Sequence, residues 1–282
     1  MTSDYHDIKY QYNSDIPTFD KNTKVFVWGL HVKLVQRMLD YDYACGKNEP
    51  SVVCLLDGNK KGKSYLNFFW NTKEILIPVL NNFNDACQTF PQASTLINLA
   101  SFRSAYQISL DAVDQPSIDK IIIIAEGIPE RWSRDLYYQA KEKNKLIIGP
   151  STVGLITPGQ FRGGNTGGTI ENIGNSKLHH SGQIAILTRS GGLLNEMCNI
   201  VSRNGGDIYE ALSIGGDRYP NSGFMDHIIK YQKIEQVKII IILGEVGGVQ
   251  EIIIANAVKN KIIDKPVIGW CLGTSAKFFS DD

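Results

Sequence analysis

Ile184-Ala185-Ile186-Leu187-Thr188-Arg189-Ser190-Gly191-Gly192-Leu193-Leu194-Asn195-Glu196 runs from an apolar segment through a Ser-Gly-Gly turn into a stretch with helical spacing. A short apolar run closed by such a turn, with a helix directly after it, is how a strand covered on both faces passes into its crossover helix. The pattern recurs along the chain. The first half offers Lys24 to Gly29, Ser51 to Leu55, Ile75 to Val79, Thr95 to Asn98, Ile121 to Ala125 and Leu146 to Gly149. The second offers Ile184 to Thr188, Ile208 to Ser213, Val237 to Leu243 and Pro266 to Trp270. The fold class is therefore α/β. Right-handed crossovers wind each half into a doubly wound sheet, with ligands beyond the C-terminal strand ends. Chemistry is to be sought in the turns directly after strands.

Between the halves lies Gly149-Pro150-Ser151-Thr152-Val153-Gly154-Leu155-Ile156-Thr157-Pro158-Gly159, then a glycine-rich stretch to Gly174 with little periodicity, which reads as a junction. The expected organisation is a tail over 1–23, a first domain over 24–150, a junction over 151–174 and a second domain over 175–282.

Three turns stand out. The helix opening at Ser190, Gly191 and Gly192 presents unpaired N–H groups and a partial positive charge, and glycines let an anion reach the backbone; the alternative is that Ser190 only caps the helix. Glu245, between the apolar run ending at Leu243 and the paired glycines Gly247-Gly248, is placed to hold Mg2+, to orient an imidazole that accepts a phosphoryl group, or to cap the next helix. Glu126 follows Ile121-Ile122-Ile123-Ile124-Ala125 and precedes Gly127-Ile128-Pro129, so it too is expected at a sheet's C-terminal edge. Ile214-Gly215-Gly216-Asp217-Arg218-Tyr219-Pro220 breaks after a strand and suits close backbone approach. Ser101, Arg103 and Ser104 end another strand with groups suited to phosphate or pantetheine; a surface ion pair is the alternative for Arg103.

Composition narrows the function classes. With 282 residues, 43% hydrophobic and 21% charged, the chain is long enough for two cores. Lys+Arg and Asp+Glu are equal at 29 each, so no large field draws nucleic acid or an anionic membrane, and any anion site is local. No apolar run approaches the roughly 20 residues of a membrane span. The polar start is unlike a targeting peptide, which makes the cytoplasm the expected compartment. Five scattered cysteines without metal-ligand spacing read as reduced, mostly core thiols.

Taken together, these strings resemble ATP-citrate lyase, in the part built like the succinyl-CoA synthetase α subunit, from about Lys24 to the end. The resemblance is carried by Phe26-Val27-Trp28-Gly29, Lys73-Glu74-Ile75-Leu76-Ile77-Pro78-Val79, Arg103-Ser104-Ala105-Tyr106, Ala125-Glu126-Gly127-Ile128-Pro129-Glu130, Gly164-Asn165-Thr166-Gly167-Gly168, Ser190-Gly191-Gly192, Gly215-Gly216-Asp217-Arg218-Tyr219-Pro220 and Phe224-Met225-Asp226-His227. Succinyl-CoA synthetases are similar at Glu126-Gly127-Ile128-Pro129 and Gly244-Glu245. They usually carry a glycine-rich CoA loop where this chain has Trp28-Gly29-Leu30-His31, and a Tyr near Asn195, so the lyase fits better.

The resemblance implies a Rossmann-like CoA-binding domain followed by a flavodoxin-like, succinyl-CoA-synthetase-type domain, both parallel sheets with helices on both faces. It implies that ATP phosphorylates a histidine, that citrate takes the phosphoryl group, and that CoA attacks the citryl phosphate to give citryl-CoA, which a separate module cleaves to acetyl-CoA and oxaloacetate. By this analogy Ser190, Gly191 and Gly192 hold the phosphoryl group, and Glu245 steadies the phosphohistidine or its Mg2+. Glu126 lies near the same histidine and the thioester-forming step. Gly29, Ser101, Arg103, Ser104 and Ala125 contact CoA. The implied partners are an ATP-grasp domain or subunit and a citryl-CoA lyase module, in a homo- or hetero-oligomer. In two places the chain departs from the family. The family's aromatic CoA contact after the second strand is replaced around Asp57-Gly58-Asn59. The phosphorylated histidine is expected in a Gly-His-Ala-Gly loop after the stretch equivalent to Phe278-Phe279-Ser280-Asp281-Asp282, which makes the chain a fragment by expectation, inactive alone. A succinyl-CoA-synthetase-like ligase and a non-catalytic CoA-binding scaffold are the alternatives.

Overall fold

The computed structural model describes residues 16–60, 62–245 and 249–271; most of the tail, Gly247-Gly248 and the stretch from Phe278 to Asp282 lie outside the described residues. In chain order the first half comprises β1 (Lys24–Trp28), α1 (Val32–Ala44), β2 (Val52–Leu56), β3 (Ser64–Trp70), β4 (Lys73–Leu80), α2 (Phe83–Thr89), β5 (Ala93–Asn98), α3 (Phe102–Val113), β6 (Lys120–Ile123), α4 (Glu130–Glu142) and β7 (Leu146–Ile148). The second comprises β8 (Gly154–Thr157), β9 (Phe161–Gly164), α5 (Ile170–Asn175), β10 (Ile184–Thr188), α6 (Gly191–Arg203), β11 (Ile208–Ser213), α7 (Phe224–Lys233), β12 (Ile239–Gly244), α8 (Gln250–Lys259) and β13 (Val267–Cys271).

The first sheet has the order β3-β4-β2-β1-β5-β6-β7. Without β3, its parallel strands follow the Rossmann sequence third, second, first, fourth, fifth, sixth, and winding reverses between β1 and β5. The second sheet has the order β13-β12-β10-β11-β8-β9. Its four parallel strands follow the flavodoxin-like order, with reversal between β10 and β12. Each reversal opens a crevice at the C-terminal strand ends.

Both sheets are mostly parallel, as expected, and antiparallel edges complete them. β3 folds back on β4 through Asn71-Thr72, with Asn71 at φ 56. Its residues alternate between more and less exposed, as suits a sheet edge. β8 and β9 pair with each other and join the second sheet through β11. The stretch 151–174, expected to be a junction, thus contains the edge of the second sheet and most of α5. Its glycines are the reason it reads as a loop and still pairs. Gly154 and Gly164 face each other at φ 95 and 91, and a Cβ on Gly154 would collide with the Gly163 carbonyl.

The halves share buried contacts. Phe19, ahead of β1, stacks on Phe161 of β9 at 5.3 Å between centroids. From α1, the Tyr41 hydroxyl donates to the Leu178 carbonyl at 2.9 Å and accepts from the Gly159 N–H at 3.0 Å. Arg162 of β9 is buried, with its guanidinium on the carbonyls of Arg37 and Gly168, and burial lowers it to about 10. Of the cysteines, Cys54 and Cys198 are core thiols that burial pushes up to about 12. Cys45 and Cys87 are half-buried and Cys271 is exposed. Among the described residues no helix is long and apolar enough to cross a membrane.

Candidate functional site: two switch-point crevices

At the first reversal, Gly29 leaves β1 at φ 105, a conformation that glycine adopts without strain, and its N–H donates to the Leu56 carbonyl at 2.8 Å. Across the crevice, β5 ends in buried Asn98. Its side-chain N–H groups reach the Ala105 carbonyl and Ser109 Oγ, both at 2.9 Å, and its Oδ1 accepts from the Ala100 N–H at 3.0 Å. Asn98 thereby fixes the start of α3, where Ser101, Arg103 and Ser104 are all exposed. The Ser101 side chain makes no capping bond, and the Arg103 guanidinium lies 5.5 Å from the Phe102 ring centroid. Leu30, Val32 and Phe102 add exposed apolar surface. An aromatic does reach the Asp57-Gly58-Asn59 loop, but from the neighbouring strand. The Trp28 ring lies beside Gly58 and packs on Phe83 at 5.1 Å.

At the second reversal, α6 starts at Gly191 with Ser190 as N-cap, and the Ser190 side chain makes no capping bond. Its carbonyl instead accepts from Thr188 Oγ1 at 2.7 Å. The two glycines differ. A Cβ on Gly191 would collide with Val153 Cγ1 and stand 2.8 Å from Cγ2, whereas one on Gly192 would meet open space. Gly191 therefore permits close packing of the helix start on Val153, and the open approach to the cradle lies at Gly192. Beside it, the Gly167 N–H donates to Asn195 Oδ1 at 2.8 Å, which brings the loop after β9 against α6.

Glu245 follows β12 at the other wall. Its N–H donates to Glu251 Oε1 at 3.2 Å, and Gly244 makes room for that side chain, since a Cβ there would stand 2.6 Å from Glu251 Cγ. The Glu245 carboxylate lies 3.5 Å from Arg189 Nε. Arg189, the residue between β10 and the cradle, also donates through Nη2 to the carbonyls of Asp217 at 2.6 Å and Gly216 at 3.2 Å. The loop after β11 is held at its other side. A Cβ on Gly215 would collide with the Pro150 carbonyl, and the Gly216 N–H donates to the Ser151 carbonyl at 3.2 Å.

Glu126 is exposed at the end of the first sheet and joins this group through Asp217. Burial pushes the Asp217 carboxyl up and the Glu126 charge adds to the push, while the Gly127 N–H and Arg189 hold it down. Ala125 anchors the same turn, its carbonyl accepting from the Ser151 N–H at 2.8 Å. Ser190, Gly191, Gly192 and Glu245 thus gather at one crevice with Glu126 reaching it from the other half. Gly29, Ser101, Arg103 and Ser104 stand at the other crevice. Sequence reasoning missed Arg189 and the carboxyl of Asp217. Their signal was position, since Arg189 directly follows β10 and Asp217 lies in the loop after β11.

The CoA-ligase family model matches residues 187–280, which begin within β10 and take in the second crevice. The chain is homologous to a segment of ATP-citrate synthase. It is 48% identical over 267 residues to the mouse (Mus musculus) ATP-citrate synthase, covering 94% of this chain and 24% of that protein. It is 45% identical to the probable ATP-citrate synthase subunit 1 of Schizosaccharomyces pombe, covering 94% of this chain and 43% of that one. The structure of ATP citrate lyase from Methanothrix soehngenii in complex with citrate and coenzyme A superposes with a TM-score of 0.90 at 44% identity, covering 93% of this chain and 42% of that chain. A dinucleotide-forming acetyl-coenzyme A synthetase from Ca. Korarchaeum cryptofilum shares the fold at TM-score 0.64 and 14% identity. The chain thus spans between about a quarter and two-fifths of the length of these ATP-citrate synthase relatives.

Proposed function

We propose that this chain forms the CoA-ligase-type portion of an ATP-citrate synthase, working with an ATP-grasp portion and a citryl-CoA lyase portion to convert citrate, CoA and ATP to acetyl-CoA, oxaloacetate, ADP and phosphate. The observation that carries the reading is the 44% identity and TM-score of 0.90 over 93% of the chain to a lyase solved with citrate and coenzyme A.

In this reading Gly29, Ser101, Arg103, Ser104 and Ala125 receive CoA at the first crevice, with Trp28 offering the aromatic surface beside Gly58. The α6 start, open at Gly192, receives the phosphoryl group through backbone N–H donors aligned with the helix dipole. Glu245 orients the group that carries the phosphoryl, and Glu126 faces the same place from the first half. When CoA attacks citryl phosphate, sulfur bonds to the acyl carbon, the acyl C–O bond to phosphate breaks, and phosphate leaves toward the cradle carrying the thiol proton. Magnesium takes most of its ligands from phosphate oxygens and water. Among the described residues no cluster of three or more His, Cys, Asp or Glu assembles to hold it, and the Glu245 carboxylate already faces Arg189.

The test is an assay of the enzyme containing this chain together with its ATP-grasp and lyase portions. Oxaloacetate should form from citrate only with both ATP and CoA present. Absence of oxaloacetate, or use of succinate in place of citrate, overturns the reading, the latter in favour of a succinyl-CoA-synthetase-like ligase.

A further inference from the structure

The Arg189 side chain, 13% exposed, meets three strand ends at once. It leaves the end of β10, touches the loop after β11 through the Gly216 and Asp217 carbonyls, and lies 3.5 Å from Glu245 after β12. Nε is buried and makes no hydrogen bond among the described residues, and the Glu245 carboxylate lies 3.5 Å from it. A planar guanidinium suits this geometry, because Nε and Nη2 together carry three N–H donors fixed in one plane, enough for the two carbonyls and the carboxylate. A Lys there has a single ammonium, which cannot reach the turn and the carboxylate together.

We propose that Arg189 is a positioning residue of the phosphoryl site, clamping the Gly216-Asp217 turn by Nη2 and holding the Glu245 carboxylate beside the cradle by Nε. The proposal rests on reading Ser190-Gly191-Gly192 as a phosphate cradle. A carboxylate beside an anion site repels the incoming phosphate unless its charge is balanced, and Arg189 supplies that balance while leaving the carboxylate in place. Arg189 therefore acts on phosphate through Glu245 and makes no contact with it.

The test titrates the chain with inorganic phosphate and follows backbone amide resonances in the parent, Arg189→Gln, Glu245→Gln and the double variant. In the parent, the Gly191 and Gly192 amides should shift saturably. Arg189→Gln should weaken phosphate binding about tenfold, and the same change in the Glu245→Gln background should weaken it less than about threefold, since the repulsion it exposes is gone. Equal weakening in both backgrounds overturns the proposal, because Arg189 would then act independently of Glu245. Arg189→Lys, which retains the charge, is the second variant. It should keep most of the phosphate affinity while amide exchange speeds up at 216–219; unchanged exchange overturns the clamp. Failure of the parent amides to shift rejects the cradle, and with it this role, and is recognisable because it appears before any variant is made.

Discussion

Val153 lies so close over Gly191 that no side chain fits between them. The start of α6 is therefore seated by a residue from the segment leading into the antiparallel edge. Gly191→Ala should cost about 1–3 kcal/mol of stability by overpacking that contact. Gly192→Val points into open space and improves on glycine in helix propensity, so it should fold with parent stability and lose phosphate binding instead. Urea denaturation and a phosphate titration on both variants separate the two roles. Stability parity of Gly191→Ala contradicts the first expectation, and intact phosphate binding by Gly192→Val the second.

Glu210 of β11 sits in the core with Lys230 Nζ 2.5 Å away and Tyr231 Oη also bonded to it. Both members of the ion pair are nearly inaccessible to water. Glu210→Gln leaves the Lys230 ammonium without its counter-charge and should lower stability by about 3–5 kcal/mol, whereas Glu210→Gln paired with Lys230→Met should recover much of the loss. Chemical denaturation of the single and double variants measures this.

His227 is fully buried on α7, with Nε2 3.1 Å from Ser222 Oγ and Nδ1 without a hydrogen-bond partner among the described residues. Burial, with a further push from the Lys230 charge, lowers it well below the ordinary histidine value. Because the folded state binds this proton more weakly than the unfolded one, its contribution is fully present above about pH 6.5 and is lost as pH falls toward the folded value, by at most about 1.4 kcal/mol per pH unit. His227→Gln should flatten the stability profile between pH 6.5 and 5; a profile as steep as the parent's contradicts this.

Arg103 and Ser104 are exposed and carry little of the fold. Arg103→Ala should leave the melting temperature unchanged and weaken CoA binding about tenfold, as expected for loss of a charge-assisted phosphate contact. Calorimetry with CoA on the purified variant checks both statements, and unchanged affinity removes Arg103 from the CoA site.

The parallel strands were legible because each is a short apolar run closed by a turn, and all ten expected runs overlap strands of the two sheets. The antiparallel additions were not. β3 mixes Ser64 and Asn67 with four aromatics, of which only Phe68 is buried, and β8 and β9 are built around glycines whose pairing depends on a backbone approach that only the folded chain displays. The turns at Ser190, Glu245 and Glu126 were found by their position after strands. Arg189 and the Asp217 carboxyl escaped because their partners are backbone carbonyls and side chains from other loops, which no spacing in the chain encodes.

Tyr41 gives the arrangement a further property. Its hydroxyl, bonded on both sides to the backbone of the second half, works like a rivet through α1. The span from one crevice to the other is then a gauge cut into the scaffold, and a ligand touching both must carry an arm of matching reach. Selection between ligands with the same headgroup but tethers of different length would follow from that gauge alone, without any side chain reading the tether.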